Sequence, residues 1–94
     1  MPKLTFRLHA IQRMFEREIS RDDVSEVVQN GEVIRRYTDD KPYPSQLVLG
    51  WRNKRPIHVV MAHNKADDEI IIITVYEPNP KQWESDFKSK KESD

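Results

Sequence analysis

Apolar residues follow two different periods along this chain, and the change falls at Gly31. Upstream of it, Leu8, Ile11 and Phe15 recur at i, i+3 and i+7, and Ala10 and Met14 widen the stripe. That spacing predicts a helix with one apolar side for a core to cover. His9, Arg13, Glu16 and Arg17 fall on the other side, within an arc of about 100° at 3.6 residues per turn. A second helix is predicted to start near Ser20. Ser20-Arg21-Asp22-Asp23 places an acid three residues after a capping serine, and both aspartates suit the positive end of a helix. Val24, Val27 and Val28 supply its buried face, and Gly31 is placed to stop it. Only Glu18 and Ile19 separate the helices, which predicts a hairpin or corner.

Downstream the period is two. Strands are predicted at Glu32 to Tyr37, Ser45 to Arg52, Pro56 to His63 and Glu69 to Glu77. The last is apolar on both faces and should be central and covered on both sides. Two prolines and an Asp pair mark the loop at 38–44, and short polar turns separate the later strands. Lys81 to Phe87 suits a short helix that docks Trp83 and Phe87, four residues apart, onto the sheet. The expected class is α+β: two N-terminal helices on one face of a four-stranded antiparallel meander, then a short C-terminal helix. One domain spans residues 1–87. Residues 88–94 (KSKKESD) form a polar, flexible tail. The other sheet face is expected to stay free and shape a shallow site.

Composition narrows the function classes. Ninety-four residues allow one domain with a small core. Sixteen Lys+Arg balance sixteen Asp+Glu, which argues against a protein that coats DNA by charge alone. Placement still permits a local patch: Lys41 to Arg55 holds four basic residues and no acidic one. Cysteine is absent, so a disulfide scaffold, a thiolate zinc site and a cysteine nucleophile are excluded. No run approaches the roughly 20 apolar residues of a membrane span, and no leader-like apolar stretch follows Lys3. A soluble, cytoplasmic protein with no membrane partner is expected.

Three clusters of side chains are candidates for chemistry. The first is His9, Arg13, Glu16 and Arg17. The plain reading is a solvated helix face with an internal ion pair. The functional reading is a cleft wall for a phosphodiester, with arginine forks on the oxygens and an imidazole to move a proton. The second is His58, Tyr76 and Glu77 near the end of the apolar strand. Its plain reading is a satisfied core histidine, a half-buried aromatic and an end-of-strand charge; its functional reading places chemistry where strands meet loops. The third is Lys41, Tyr43, Arg52, Lys54 and Arg55, with Arg35 and Arg36. It is either a charged edge that blocks strand aggregation or an RNA-binding rim. No metal site is expected: His58 and His63 are five apart on one strand and point to opposite faces.

The segment His9-Ala10-Ile11-Gln12-Arg13-Met14-Phe15-Glu16-Arg17-Glu18-Ile19-Ser20 resembles the H-A-x-x-R-M-x-E-R-x-I-S opening of a small bacterial and archaeal family of unknown function. Asn30-Gly31-Glu32-Val33-Ile34, Asp40-Lys41-Pro42-Tyr43-Pro44-Ser45, Leu49-Gly50-Trp51, Arg55-Pro56-Ile57-His58-Val59-Val60 and Thr74-Val75-Tyr76-Glu77-Pro78 also follow its pattern. That family is similar to the RelE-like and MqsR-like toxins of type II toxin–antitoxin systems. The resemblance implies a RelE-like fold and metal-independent, cofactor-free cleavage of mRNA. It also implies a cognate antitoxin partner of the zinc-finger, helix-turn-helix kind. On this reading His9 or His58 is the base or acid, Tyr76 is a positioning or proton-donating group, and Glu77 orients a histidine. Arg13 and Arg17 hold the phosphate, while Lys41 and Tyr43 contact the RNA strand. The alternative is a non-catalytic module that binds protein or RNA.

Overall fold

The computed structural model describes residues 2–92. The chain runs β1 (Lys3–Phe6), α1 (Leu8–Arg17), α2 (Arg21–Asn30), β2 (Glu32–Tyr37), β3 (Ser45–Arg52), β4 (Arg55–Asn64) and β5 (Glu69–Tyr76). The strands form one mixed sheet in the order β1-β5-β4-β3-β2. β2 to β5 make the expected antiparallel meander. The expected four-stranded sheet is corrected to five, because β1 adds to the free edge of β5 in parallel, with Thr5 opposite Ile71. Four residues are too few to show a period. β1 is a strand because β5 supplies a template and Leu4 and Phe6 reach the core.

α2 matches its pattern. The Asp23 N–H donates to Ser20 Oγ at 3.0 Å, and the Ser20 N–H donates to Asp23 Oδ2 at 2.9 Å, closing a capping box. Val24 and Val27 are fully enclosed between α2 and the sheet. Gly50 of β3 lies directly under Val27: a β-carbon there would meet Val27 Cγ2 at 2.6 Å. Gly31 ends the helix in an extended conformation, crowded by the Val27 and Leu49 carbonyls, so it serves a close approach.

α1 packs the other way round from its pattern. Ala10 is buried and Met14 half-buried, but Leu8, Ile11 and Phe15 are 70%, 49% and 88% exposed. The predicted stripe thus splits, and its three largest side chains face away from the core. α1 stops at Glu18, which takes a left-handed conformation (φ 54°) so that the Ile19 N–H reaches the Met14 carbonyl at 2.9 Å.

Both sheet faces are covered. Val48, Ile57, Val59, Ile70, Ile72 and Val75 form the main core with the helices. Leu47, Leu49, Ala62 and Ile71 are also buried, outside that cluster, together with Trp83 of the C-terminal segment. The expected helix at 81–87 is absent. Asn79 caps a single turn, its Oδ1 accepting from the Lys81 N–H and its carbonyl from the Gln82 and Trp83 N–H groups; the Glu84 N–H then leaves helical register for the Ser89 carbonyl at 2.8 Å. Phe87 has a left-handed φ of 58°. Trp83 and Phe87 still reach the sheet, as irregular chain. The segment continues as a small ladder: Trp83 bridges to Lys90, and the Lys91 N–H donates to the Gln82 carbonyl at 2.9 Å. Lys88 pairs with Glu32 at 3.0 Å. The part of the expected tail that is described is therefore tied down; Ser93 and Asp94 lie outside the described residues.

Candidate functional site

The face opposite the helices holds the most specific polar arrangement in the molecule. At its centre His58, with no exposed surface, pairs across the sheet with Tyr76. His58 Nε2 lies 2.8 Å from the Phe87 carbonyl, and Nδ1 lies 3.2 Å from the Tyr76 hydroxyl. A carbonyl only accepts, so Nε2 carries the ring proton and Nδ1 accepts the Tyr76 O–H. The ring is further boxed by Trp83 and Tyr76, edge-on at 4.5 and 5.2 Å between centroids.

Electrostatics fit this assignment. Burial pushes His58 below the usual imidazole value, and the Arg35 charge pushes the same way, against the Phe87 carbonyl. His58 is thus held neutral. Burial pushes the Tyr76 hydroxyl above the usual phenol value; neighbouring Tyr37 adds to this and Arg35 opposes it. Tyr76 therefore keeps its proton and is a donor at neutral pH. The surrounding rim is cationic and aromatic. Arg35 and Lys90 stand over the Trp83 ring, 5.6 and 5.8 Å from its centroid. Arg35 and Tyr37 are exposed, and Tyr76 is half-buried.

Two β-bulges create this grouping. Ile73 is an extra residue between the Val60–Thr74 and Met61–Ile72 pairs. Were Ile73 paired in regular alternation, Tyr76 would share the helix-facing side with Ile72. Ile34 is likewise extra, since Val33 pairs with Val48 and Arg35 with Leu47. Val33 faces the main core while Arg35 faces the other side. Strict alternation puts both on one side, so the residue pattern of β2 does not show that Arg35 joins Tyr76.

The remaining candidate residues are dispersed. His9, Arg13 and Arg17 are exposed on α1, which covers the other face of the sheet. The composite of His9 with His58 is therefore not formed. Arg13 pairs with Glu16 at 3.3 Å. Glu77 does not approach His58 through any hydrogen bond; its carboxylate accepts from Arg55 Nε at 2.6 Å. Arg55 also donates to the Glu18 and Arg17 carbonyls, so this trio pins the end of α1. Tyr43 borders a hollow of about 570 Å³ with Arg36, Gln46, Met61 and His63. Lys41 is exposed in the neighbouring loop, whose Asp40 accepts a hydrogen bond from buried Ser45. Among the described residues, no three His, Asp or Glu side chains are grouped to hold a metal ion. No described helix is long and apolar enough to cross a membrane.

Residues 6–77 match the family described as a domain of unknown function, DUF4258. The chain belongs to the DUF4258 family. The matched DUF4258 region includes both bulges, His58, Tyr76 and Arg35, and it ends before Trp83 and Phe87. The segment that seals His58 thus lies beyond the matched part of the domain. No curated protein and no solved structure matches the chain.

Proposed function

We propose that this DUF4258 chain is a toxin-type, metal-independent endoribonuclease of the cytoplasm that acts on mRNA and is held in check by an antitoxin. One observation carries the reading: a protonated Tyr76 hydroxyl, oriented by a buried neutral histidine, beside the exposed cation of Arg35 and the exposed ring of Tyr37. RNA brings its own nucleophile in the 2′-hydroxyl. Attack of the 2′-oxygen on phosphorus, with its proton lost to solvent, develops charge that Arg35 offsets. The Tyr76 O–H, which donates to His58 Nδ1 before substrate binds, turns to the departing 5′-oxygen and gives up its proton there. A 2′,3′-cyclic phosphate and a 5′-hydroxyl end result, and solvent reprotonates Tyr76. Tyr37 stacks a base. His58, which is fully enclosed, acts through Tyr76 and is a positioning residue.

The test is cleavage of labelled RNA, free and ribosome-bound, in the presence of a chelator. Tyr76→Phe, assayed well below its melting temperature, is expected to lower the rate by about a hundredfold; leaving His58 Nδ1 unpaired costs it about 1–3 kcal/mol of stability, which does not by itself slow a folded enzyme. Cleavage at the original rate by this variant would sink the proposal. A second reading, a non-catalytic RNA-binding module, is favoured by the complete enclosure of His58. It predicts binding that depends on Arg35 and Tyr37 without any cleavage.

A further inference from the structure

The exposed stripe of α1 has no occupant among the described residues. Leu8, Ile11 and Phe15 stand in a row over two helical turns, about 10 Å at 1.5 Å per residue. Beside them runs a shallow groove made of two hollows that meet at Met14. One, of about 160 Å³, lies between Phe6, Ile11 and Arg21. The other, of about 500 Å³, lies between Phe15, Glu18 and Ile19. A ridge of apolar side chains with a groove alongside is the shape that another amphipathic helix fits.

Charge selects the partner. Residues 2–21 carry five basic side chains (Lys3, Arg7, Arg13, Arg17, Arg21) and two acidic ones (Glu16, Glu18), so 5 − 2 = +3 in a chain whose total is zero. Arg13 is paired with Glu16. Among the described residues Arg7, Arg17 and Arg21 have no carboxylate partner. A second copy of this chain would bring Arg7 and Arg21 against their own copies across a two-fold axis, which like-charge repulsion disfavours.

We propose that α1 is the docking site for an acidic amphipathic helix of a partner protein, with apolar residues on Leu8, Ile11 and Phe15 and carboxylates on Arg7 and Arg21, which border that stripe. The site stands apart from the ribonuclease reading, since it lies across the sheet from Tyr76, and failure of one leaves the other standing.

The experiment uses the isotope-labelled full chain. It is titrated with a synthetic helical peptide that has leucines on one side and glutamates on the other, and with the same peptide carrying lysines for glutamates. The acidic peptide is expected to shift the amide signals of residues 8–19 and to bind about tenfold more weakly to Phe15→Ser or Ile11→Ser. Added salt weakens it further, and the lysine peptide does not bind. Phe15 is 88% exposed, so Phe15→Ser keeps the melting temperature and reports on binding alone. Four results overturn the proposal: unmoved α1 signals, equal binding of the lysine peptide, self-association of the chain that Phe15→Ser abolishes, or a preference of α1 for anionic lipid vesicles over the peptide.

Discussion

α1 and α2 are both ten residues long, both amphipathic, and both laid on the same sheet face, yet they meet the core in opposite ways. α2 turns its valines inward, onto a glycine that lets the backbones approach. α1 buries only Ala10 fully and turns its largest apolar side chains outward. The starts differ as well. α2 has a capping box, whereas Arg7 at the start of α1 makes no side-chain cap. The contrast shows that periodicity identifies an apolar face without saying what covers it. In α2 the sheet covers it. In α1 no described residue covers it, and Arg55, Glu77 and Ile19 anchor the helix at its end instead.

The sharpest way to break this contrast is to spoil the α2 seat. Gly50→Val drives a side chain into Val27 and is expected to cost on the order of 3 kcal/mol in urea unfolding. A loss under 1 kcal/mol would mean that α2 can lift off the sheet cheaply. Arg55→Ala removes the anchor of α1 and is expected to cost about 2 kcal/mol, with faster hydrogen exchange confined to α1. Uniform exchange across both helices would contradict the separate anchoring.

Ser20→Ala opens the capping box of α2 and should cost about 1 kcal/mol by thermal unfolding. The same cap makes α2 acid-sensitive. The Ser20 N–H, helped by Arg52, holds the Asp23 carboxyl below its usual value of 3.8 despite partial burial. A depressed carboxyl stabilises the fold fully above that ordinary value. The contribution is lost as the pH falls through the lower, folded one. In acid titration the α2 amide signals should therefore change below pH 3.8, and Asp23→Asn should remove that step. Smallest of all, Phe15→Ser should leave stability within about 0.5 kcal/mol of the original. A loss above 2 kcal/mol would show that the α1 stripe belongs to the core after all.

Much of the architecture was legible before the structure. The two helices, the four meander strands and the capping box all follow from local chemistry, because each is set by residues within one turn or one strand. The pairing of His58 with Tyr76 was legible as a cluster of residue types, but its geometry was not. Ile73 and Ile34 look like ordinary strand residues, and only the paired strand shows that each is extra. The missing C-terminal helix has a similar cause. Trp83 and Phe87 sit at helical spacing, yet after one turn the Glu84 N–H bonds to the Ser89 carbonyl, five residues ahead, instead of the Pro80 carbonyl that a helix would offer.

From the sequence come the absence of cysteine, two helices joined by a short corner, four meander strands, and basic residues concentrated at 2–21 and 41–55. These are properties of composition and of near neighbours. The tertiary structure alone decided that β1 joins β5 in parallel, that α1 points its apolar stripe outward, and that two bulges bring Arg35 and Tyr76 to the side sealed by Trp83. Each of these depends on a contact between residues far apart in the chain, where a one-residue change of register reverses which face a side chain occupies.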